Sequence, residues 1–150
     1  GRRLRDQRGL VLVAEDEPDL RKLVSTVLTR HGYRVLAAES GVRALELWAK
    51  HSGDIQLLLT DMVMPNGMSG RELADQLLTK KPNLKVIFSS GYNRDMVEKG
   101  GSLPGGSAFL AKPYPPDKLL RLVRDSLDDR ENTAFLSKTD LANAAAEASR

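Results

Sequence analysis

Cysteine is absent from the 150 residues. That excludes disulfides, thiolate metal sites and cysteine nucleophiles, and it is compatible with a reducing compartment. Aromatic residues are scarce at 5%, and the formal net charge is only +3, part of it from an arginine-rich amino terminus. No basic stripe with interleaved aromatics is present, so no nucleic-acid partner is expected. No apolar run approaches the ~20 residues of a transmembrane helix, and no membrane contact is expected. The leader Gly1-Arg2-Arg3-Leu4-Arg5-Asp6-Gln7-Arg8 has charge but no signal-peptide core behind it, so the expected location is cytoplasmic. The first residue is Gly1 rather than Met, which reads as a piece of a longer protein or a processed form. With 41% hydrophobic and 29% charged residues, the chain suits one soluble globular domain. A chain of this length buries roughly two thirds of its unfolded surface around a single core.

The pattern is organised around Leu57-Leu58-Leu59-Thr60-Asp61-Met62-Val63-Met64-Pro65. Its apolar half suits a strand buried on both faces, and Pro65, Asn66 and Gly67 spell a turn, so Asp61 is expected at the carboxyl end of a central strand. Four further strands read as apolar runs: Leu10 to Ala14, Tyr33 to Ala37, Leu84 to Phe88 and Ala108 to Ala111. Helical spacing fills the intervals. Pro18 and Asp19 begin a helix with Leu20, Leu23, Val24, Val27 and Leu28, which His31-Gly32 ends. Ser40 caps a second through Val42, Leu45, Leu47 and Trp48, and Ser69 or Gly70 opens a third with Leu73, Leu77 and Leu78. Pro115-Pro116-Asp117 starts the last, with Leu119, Leu120, Leu122, Val123 and Leu127 on its buried face. Between Asn93 and Gly106, Gly100, Gly101, Gly105, Gly106 and Pro104 leave room only for a short or partly unwound fourth helix around Asp95 to Lys99. The expected fold is α/β: a doubly wound five-stranded parallel sheet in the flavodoxin-like order 2-1-3-4-5. Residues 1–9 read as a polar leader, 10–128 as the folded domain and 129–150 as a polar, Ala-rich tail.

In that order strands one, three, four and five finish on one edge, at Glu15-Asp16, Asp61, Ser89 and Lys112. Each of these residues alone has a plainer reading, as helix-start acids, a turn serine or a surface lysine. Their coincidence points elsewhere. Closely packed carboxylates stay ionised most readily around a hard divalent cation held by oxygens, which points to Mg2+. A lysine and a hydroxyl opposite would surround a phosphoryl group, with Asp61 as the nucleophile that receives it.

The stretches Val11-Leu12-Val13-Ala14-Glu15-Asp16-Glu17-Pro18, Leu59-Thr60-Asp61-Met62-Val63-Met64-Pro65, Val86-Ile87-Phe88-Ser89-Ser90-Gly91-Tyr92 and Phe109-Leu110-Ala111-Lys112-Pro113 together resemble a response-regulator receiver domain of two-component signalling. The wording around Asp61 and Gly91-Tyr92 is most similar to receivers at the carboxyl end of hybrid sensor histidine kinases. The resemblance implies that Asp61 is the phosphoacceptor, that Asp16 and Asp61 bind Mg2+ directly, that Glu15 assists through water, and that the Val63 carbonyl completes the ligands. It also implies that Ser89 and Lys112 contact phosphoryl oxygens, that Phe109 responds to Ser89 as a switch, and that Lys112-Pro113 is cis. The implied partner is a histidine kinase or histidine phosphotransfer domain, and the domain is then a phosphoacceptor rather than an enzyme in its own right. The Gly-rich fourth interval is expected to keep it monomeric. Glu15 stands where Asp is commoner and Ser89 where Thr is common, each keeping its functional group.

Rival functions fit less well. A nucleotide-binding domain wants a glycine-rich turn after strand one, and Glu15-Asp16-Glu17 would repel phosphate there. An aspartyl-phosphate hydrolase would carry an acid two residues after its nucleophile, where Val63 stands. The remaining alternative is a receiver-like protein-binding module that is never phosphorylated.

Overall fold

The computed structural model describes residues 8–64, 67–91 and 107–136, with side chains in the last helix described to Asp128. Strands β1 (Gly9–Ala14), β2 (Tyr33–Ala38), β3 (Ile55–Asp61), β4 (Lys85–Ser90) and β5 (Ala108–Ala111) form one sheet in the order β2-β1-β3-β4-β5, every pair parallel. Helices α1 (Pro18–Arg30), α2 (Gly41–His51) and α3 (Gly70–Lys80) fill the first three intervals, and α4 (Pro116–Leu136) follows β5. The architecture is the doubly wound one expected. The short fourth helix between Asn93 and Gly106, and the monomeric state argued from it, fall outside the described residues, as do Pro65 and Asn66.

Continuous apolar runs became strands because both faces of the sheet are covered. In β1 only Gly9 is less than buried, and in β3 only Gln56. Alternation then divides the core in two. Leu10, Leu12, Leu58, Val86 and Phe88 face α2 and α3, against Leu47, Trp48, Leu73 and Leu77. Val11, Val13, Leu57, Leu59, Ile87 and Leu110 face α1 and α4, against Val24, Leu28, Leu119 and Val123. Each fully buried side chain of this kind contributes about 1.5–3 kcal/mol relative to exposure. A one-residue slip of β3 would exchange its two faces, and with them the direction of Asp61.

The helix ends are set locally. Pro18 lies in the first turn of α1, and Gly32 takes φ 93° just past its end, where its N–H donates to the Thr29 carbonyl at 3.2 Å. His31 Nδ1 is 2.9 Å from the Val27 carbonyl, a capping position. Ser40 Oγ accepts from the Arg43 N–H at 3.1 Å. Ser69 and Glu72 form a reciprocal capping box that fixes where α3 begins. Two apolar residues in the helical stripes turn outward: Leu23 is 47% exposed and Val42 56%. The last helix runs on to Leu136, past Asp128, since no Gly or Pro interrupts it after Pro116. Among the described residues, no helix is long and apolar enough to cross a membrane.

Candidate functional site

The carboxyl ends of β1, β3 and β5 bring four charged side chains together, and β4 ends beside Asp61. Asp61 is the last residue of β3, opposite Ser89 in the register with β4, and is 8% exposed. Glu15 follows β1, is 3% exposed, and continues the ladder through its N–H to the Ala38 carbonyl at 2.9 Å. Asp16, the next residue, is half-buried. One carboxylate oxygen from each of Glu15, Asp16 and Asp61 can be chosen so that all three lie within 4.8 Å of one another. Lys112, one residue past β5, places Nζ 3.0 Å from Glu15 Oε1 and 3.0 Å from Asp61 Oδ2. Its peptide bond to Pro113 is cis, as the resemblance implies.

Main-chain groups hold the acids. The Glu17 N–H donates to Glu15 Oε2 at 3.0 Å, and the Val63 N–H reaches Asp61 Oδ1 at 3.4 Å. Arg21 Nη1, one turn into α1, donates to the Glu15 carbonyl at 2.8 Å and to that of Asp16 at 3.4 Å. The Met62 N–H donates to the Ser89 carbonyl at 2.8 Å, tying the loop after Asp61 to β4. Ser89 itself is buried, and Val63 is half-exposed. Phe109 pairs with Phe88 in the register, packs on the α2–α3 side of the sheet, and borders a groove with Pro115 and with Arg121 and Leu122 of α4.

Three carboxylates against one ammonium give the cluster a formal net charge of −2. Burial pushes the Glu15 carboxyl above its usual range, and the Glu17 N–H and Lys112 only partly offset it. Burial pulls the Lys112 amine down, but the Glu15 and Asp61 carboxylates outweigh it and hold the amine above its usual value. Tyr114, beside them, is pushed up to about 12 by burial and by the Glu15 charge, so its hydroxyl stays protonated at neutral pH. Tyr114 also walls an open groove of about 540 Å³ with Leu20, Leu23, Pro113 and Lys112.

Acidic oxygens thus gather at the end of a central strand and meet a lysine just past the last strand. The family model for the response regulator receiver domain matches residues 11–124. The chain belongs to that family. The receiver is 34% identical over 121 residues to the sensor kinase CckA of Brucella abortus, covering 81% of this chain and 13% of that protein. It is 30% identical over 123 residues to sporulation initiation phosphotransferase F of Bacillus subtilis, covering 81% of this chain and 96% of that one. A crystal structure of the receiver domain from the hybrid histidine kinase CckA superposes with a TM-score of 0.63 at 32% identity, over 79% of this chain and 99% of that one. This receiver therefore spans a small part of the sensor kinase it matches and nearly all of the phosphotransferase.

Receiver domains are signalling units that bind Mg2+ at an acidic pocket and work with histidine kinases or phosphotransfer proteins. In this receiver every residue singled out at the strand ends lies at that one edge, with Phe109 on the other face of the sheet. Four residues of the site were not anticipated. Thr60 donates its hydroxyl to the Asp61 carbonyl, Gly70 lies against the same carbonyl, Arg21 holds two carbonyls of the acidic turn, and Tyr114 closes one side. The available signals were a lone hydroxyl in the Leu57–Asp61 run and a glycine at a helix start that already had a serine cap.

Proposed function

We propose that residues 10–128 form a phosphoacceptor domain in which Asp61 takes a phosphoryl group from a phosphohistidine. The observation that carries this reading is the placing of Lys112 Nζ at 3.0 Å from both Asp61 Oδ2 and Glu15 Oε1, beside Asp16. An Asp61 oxygen attacks phosphorus, the new P–O bond forms as the P–N bond breaks, and the imidazole nitrogen leaves with the electron pair. Lys112 presents positive charge where the phosphoryl oxygens become most negative, and Ser89, opposite Asp61 across β3–β4, is the hydroxyl donor to them. Asp16 and Asp61, the Val63 carbonyl and, through water, Glu15 would hold magnesium, whose charge offsets that of the transferred group. Three clustered carboxylates are a fitting donor set for that hard cation. Phosphorylation would draw Ser89 toward the new group, with Phe109 responding on the far face of the sheet. The similarity to the sensor kinase CckA and to the receiver domain of a hybrid histidine kinase supports a phosphohistidine donor and a hybrid histidine kinase as the parent chain.

Incubation with magnesium and acetyl phosphate, followed by intact mass, is expected to show one acid-stable, base-labile phosphoryl adduct. No adduct would support the non-phosphorylated binding module instead.

The lifetime of that adduct follows from Val63. Its N–H is directed at Asp61 Oδ1 and its side chain is half-exposed, so residue 63 stands at the opening above the acceptor with nothing polar to orient water. Val63→Glu is expected to speed phosphate release about tenfold, short of the roughly 10²–10⁴-fold of a full general base. An unchanged release rate in a time-resolved phosphate assay would remove residue 63 from the control of hydrolysis.

A further inference from the structure

We infer that Thr60 and Gly70 are positioning residues that clamp the main chain beneath the Asp61 carboxylate, and that this clamp sets the affinity of the acidic cluster for magnesium. The use made of the cation rests on the phosphoacceptor reading above, but the clamp itself does not.

The pairing of β1 with β3 stops at Ala14–Thr60, so the backbone of Asp61 lies one residue beyond its support on that side. On the other side it is held, because Asp61 pairs with Ser89 and the Met62 N–H donates to the Ser89 carbonyl at 2.8 Å. Thr60 is fully buried, and its Oγ1 donates to the Asp61 carbonyl at 3.0 Å. Gly70 covers the same peptide. A Cβ built on Gly70 would stand 1.8 Å from the Asp61 carbonyl oxygen and 2.8 Å from Thr60 Oγ1. The Gly70 N–H donates to the next carbonyl, that of Met62, at 3.0 Å.

The first turn of α3 is therefore seated directly on the peptide that follows Asp61. It cannot easily retreat. The capping box on Ser69 and Glu72 fixes that turn, and Leu73, Ala74 and Leu77 anchor the helix in the core. The obstacle to a side chain at residue 70 is backbone, which no rotamer change removes. Any β-carbon there must move either α3 or the Asp61 peptide. Metal sites respond to displacements of a few tenths of an ångström in a ligand, and groups that orient ligands typically matter about 10–100-fold in affinity.

The test uses Gly70→Ala, Thr60→Val and Thr60→Ser in the full chain, at a temperature where each is folded by circular dichroism. Magnesium affinity is read by calorimetric titration, and hydrogen exchange is read at the Met62 amide. Gly70→Ala and Thr60→Val are expected to weaken magnesium binding about tenfold and to speed Met62 exchange, whereas Thr60→Ser keeps the hydroxyl and restores both. A purely structural role would lower the melting temperature and leave the affinity of the folded protein unchanged. If Gly70→Ala does not fold, the valine and serine pair at residue 60 decides. Folded Gly70→Ala or Thr60→Val with the magnesium affinity and Met62 protection of a magnesium-binding wild type overturns the inference alone. A wild-type chain that binds no magnesium overturns the phosphoacceptor reading and the affinity half of the inference together, and Met62 exchange then decides the clamp.

Discussion

Asp61→Asn is expected to fold normally and to accept no phosphoryl group from acetyl phosphate or a phosphohistidine donor. The amide preserves the shape of the side chain, so its oxygen can still take the Val63 N–H that lies 3.4 Å from Oδ1. What is lost is the nucleophile, because an amide oxygen has neither the charge nor the basicity to displace imidazole from phosphorus. Two electrostatic changes oppose each other in the unphosphorylated protein. Lys112 loses its partner at 3.0 Å but keeps Glu15 at the same distance, while repulsion of Asp61 with Glu15 and Asp16 is relieved. The net change in stability is expected to stay within about 1 kcal/mol. Intact mass and a urea titration, run on the same preparation, measure the two halves. Full labelling of this variant would move the acceptor to another residue, while loss of labelling through unfolding would appear as a shifted urea midpoint.

The fold was legible because each strand is a short apolar run and each helix carries its own boundary chemistry, with Pro18, Ser40 and Ser69 at starts and Gly32 past an end. Parallel pairing and right-handed crossovers then left few sheet orders. Membership of the edge was legible for the same reason: the last residues of β1, β3, β4 and β5 must meet once the order is known. Other features depend on three-dimensional packing. Nothing in Glu15-Asp16 says that the first acid is buried and the second half-buried, since that follows from the continuation of the ladder to Ala38. The resemblance implies that Lys112 contacts phosphoryl oxygens, and in the structure it bridges two carboxylates. Leu23 and Val42 fit the helical stripes by spacing and yet face outward. Gly70 reads as an ordinary helix start, and only the closeness of Asp61 shows why no larger residue fits.

Lys112→Met is expected to destabilise the magnesium-free protein by about 2–4 kcal/mol at neutral pH. Methionine keeps most of the stem volume, so the loss is electrostatic. It leaves Glu15 and Asp61, whose side chains are 4% and 10% exposed, without the cation between them. The expected loss lies below the roughly 3–5 kcal/mol of a fully buried pair because the Lys112 side chain retains 19% exposure and solvent screens part of the interaction. The dependence on pH identifies the cause. The folded Glu15 carboxyl is raised above its ordinary 4.5, so its contribution to stability is full below that value and is lost as pH rises through the raised one. Removing Lys112 takes away one of the influences that lowered it, so the variant loses more over that rise. The folded Lys112 amine is raised above its ordinary 10.5, so the stability it supplies is full below 10.5 and is lost as pH rises through its own higher value. The gap between wild type and variant should therefore be widest near neutrality and should narrow toward both mild acid and strong alkali. Magnesium should narrow it as well, because the variant meets the cation with carboxylates that no lysine neutralises, binds it more tightly, and so gains more than wild type. For wild type, a cation bound only by the folded state adds about 2.7 kcal/mol at a hundredfold excess over its dissociation constant. Urea titrations in EDTA and in magnesium, across that pH range, measure each limb. A variant as stable as wild type at neutral pH without metal would show that the lysine contributes nothing to holding the carboxylates together. A gap that ignores both pH and magnesium would trace the loss to packing of the stem rather than to charge.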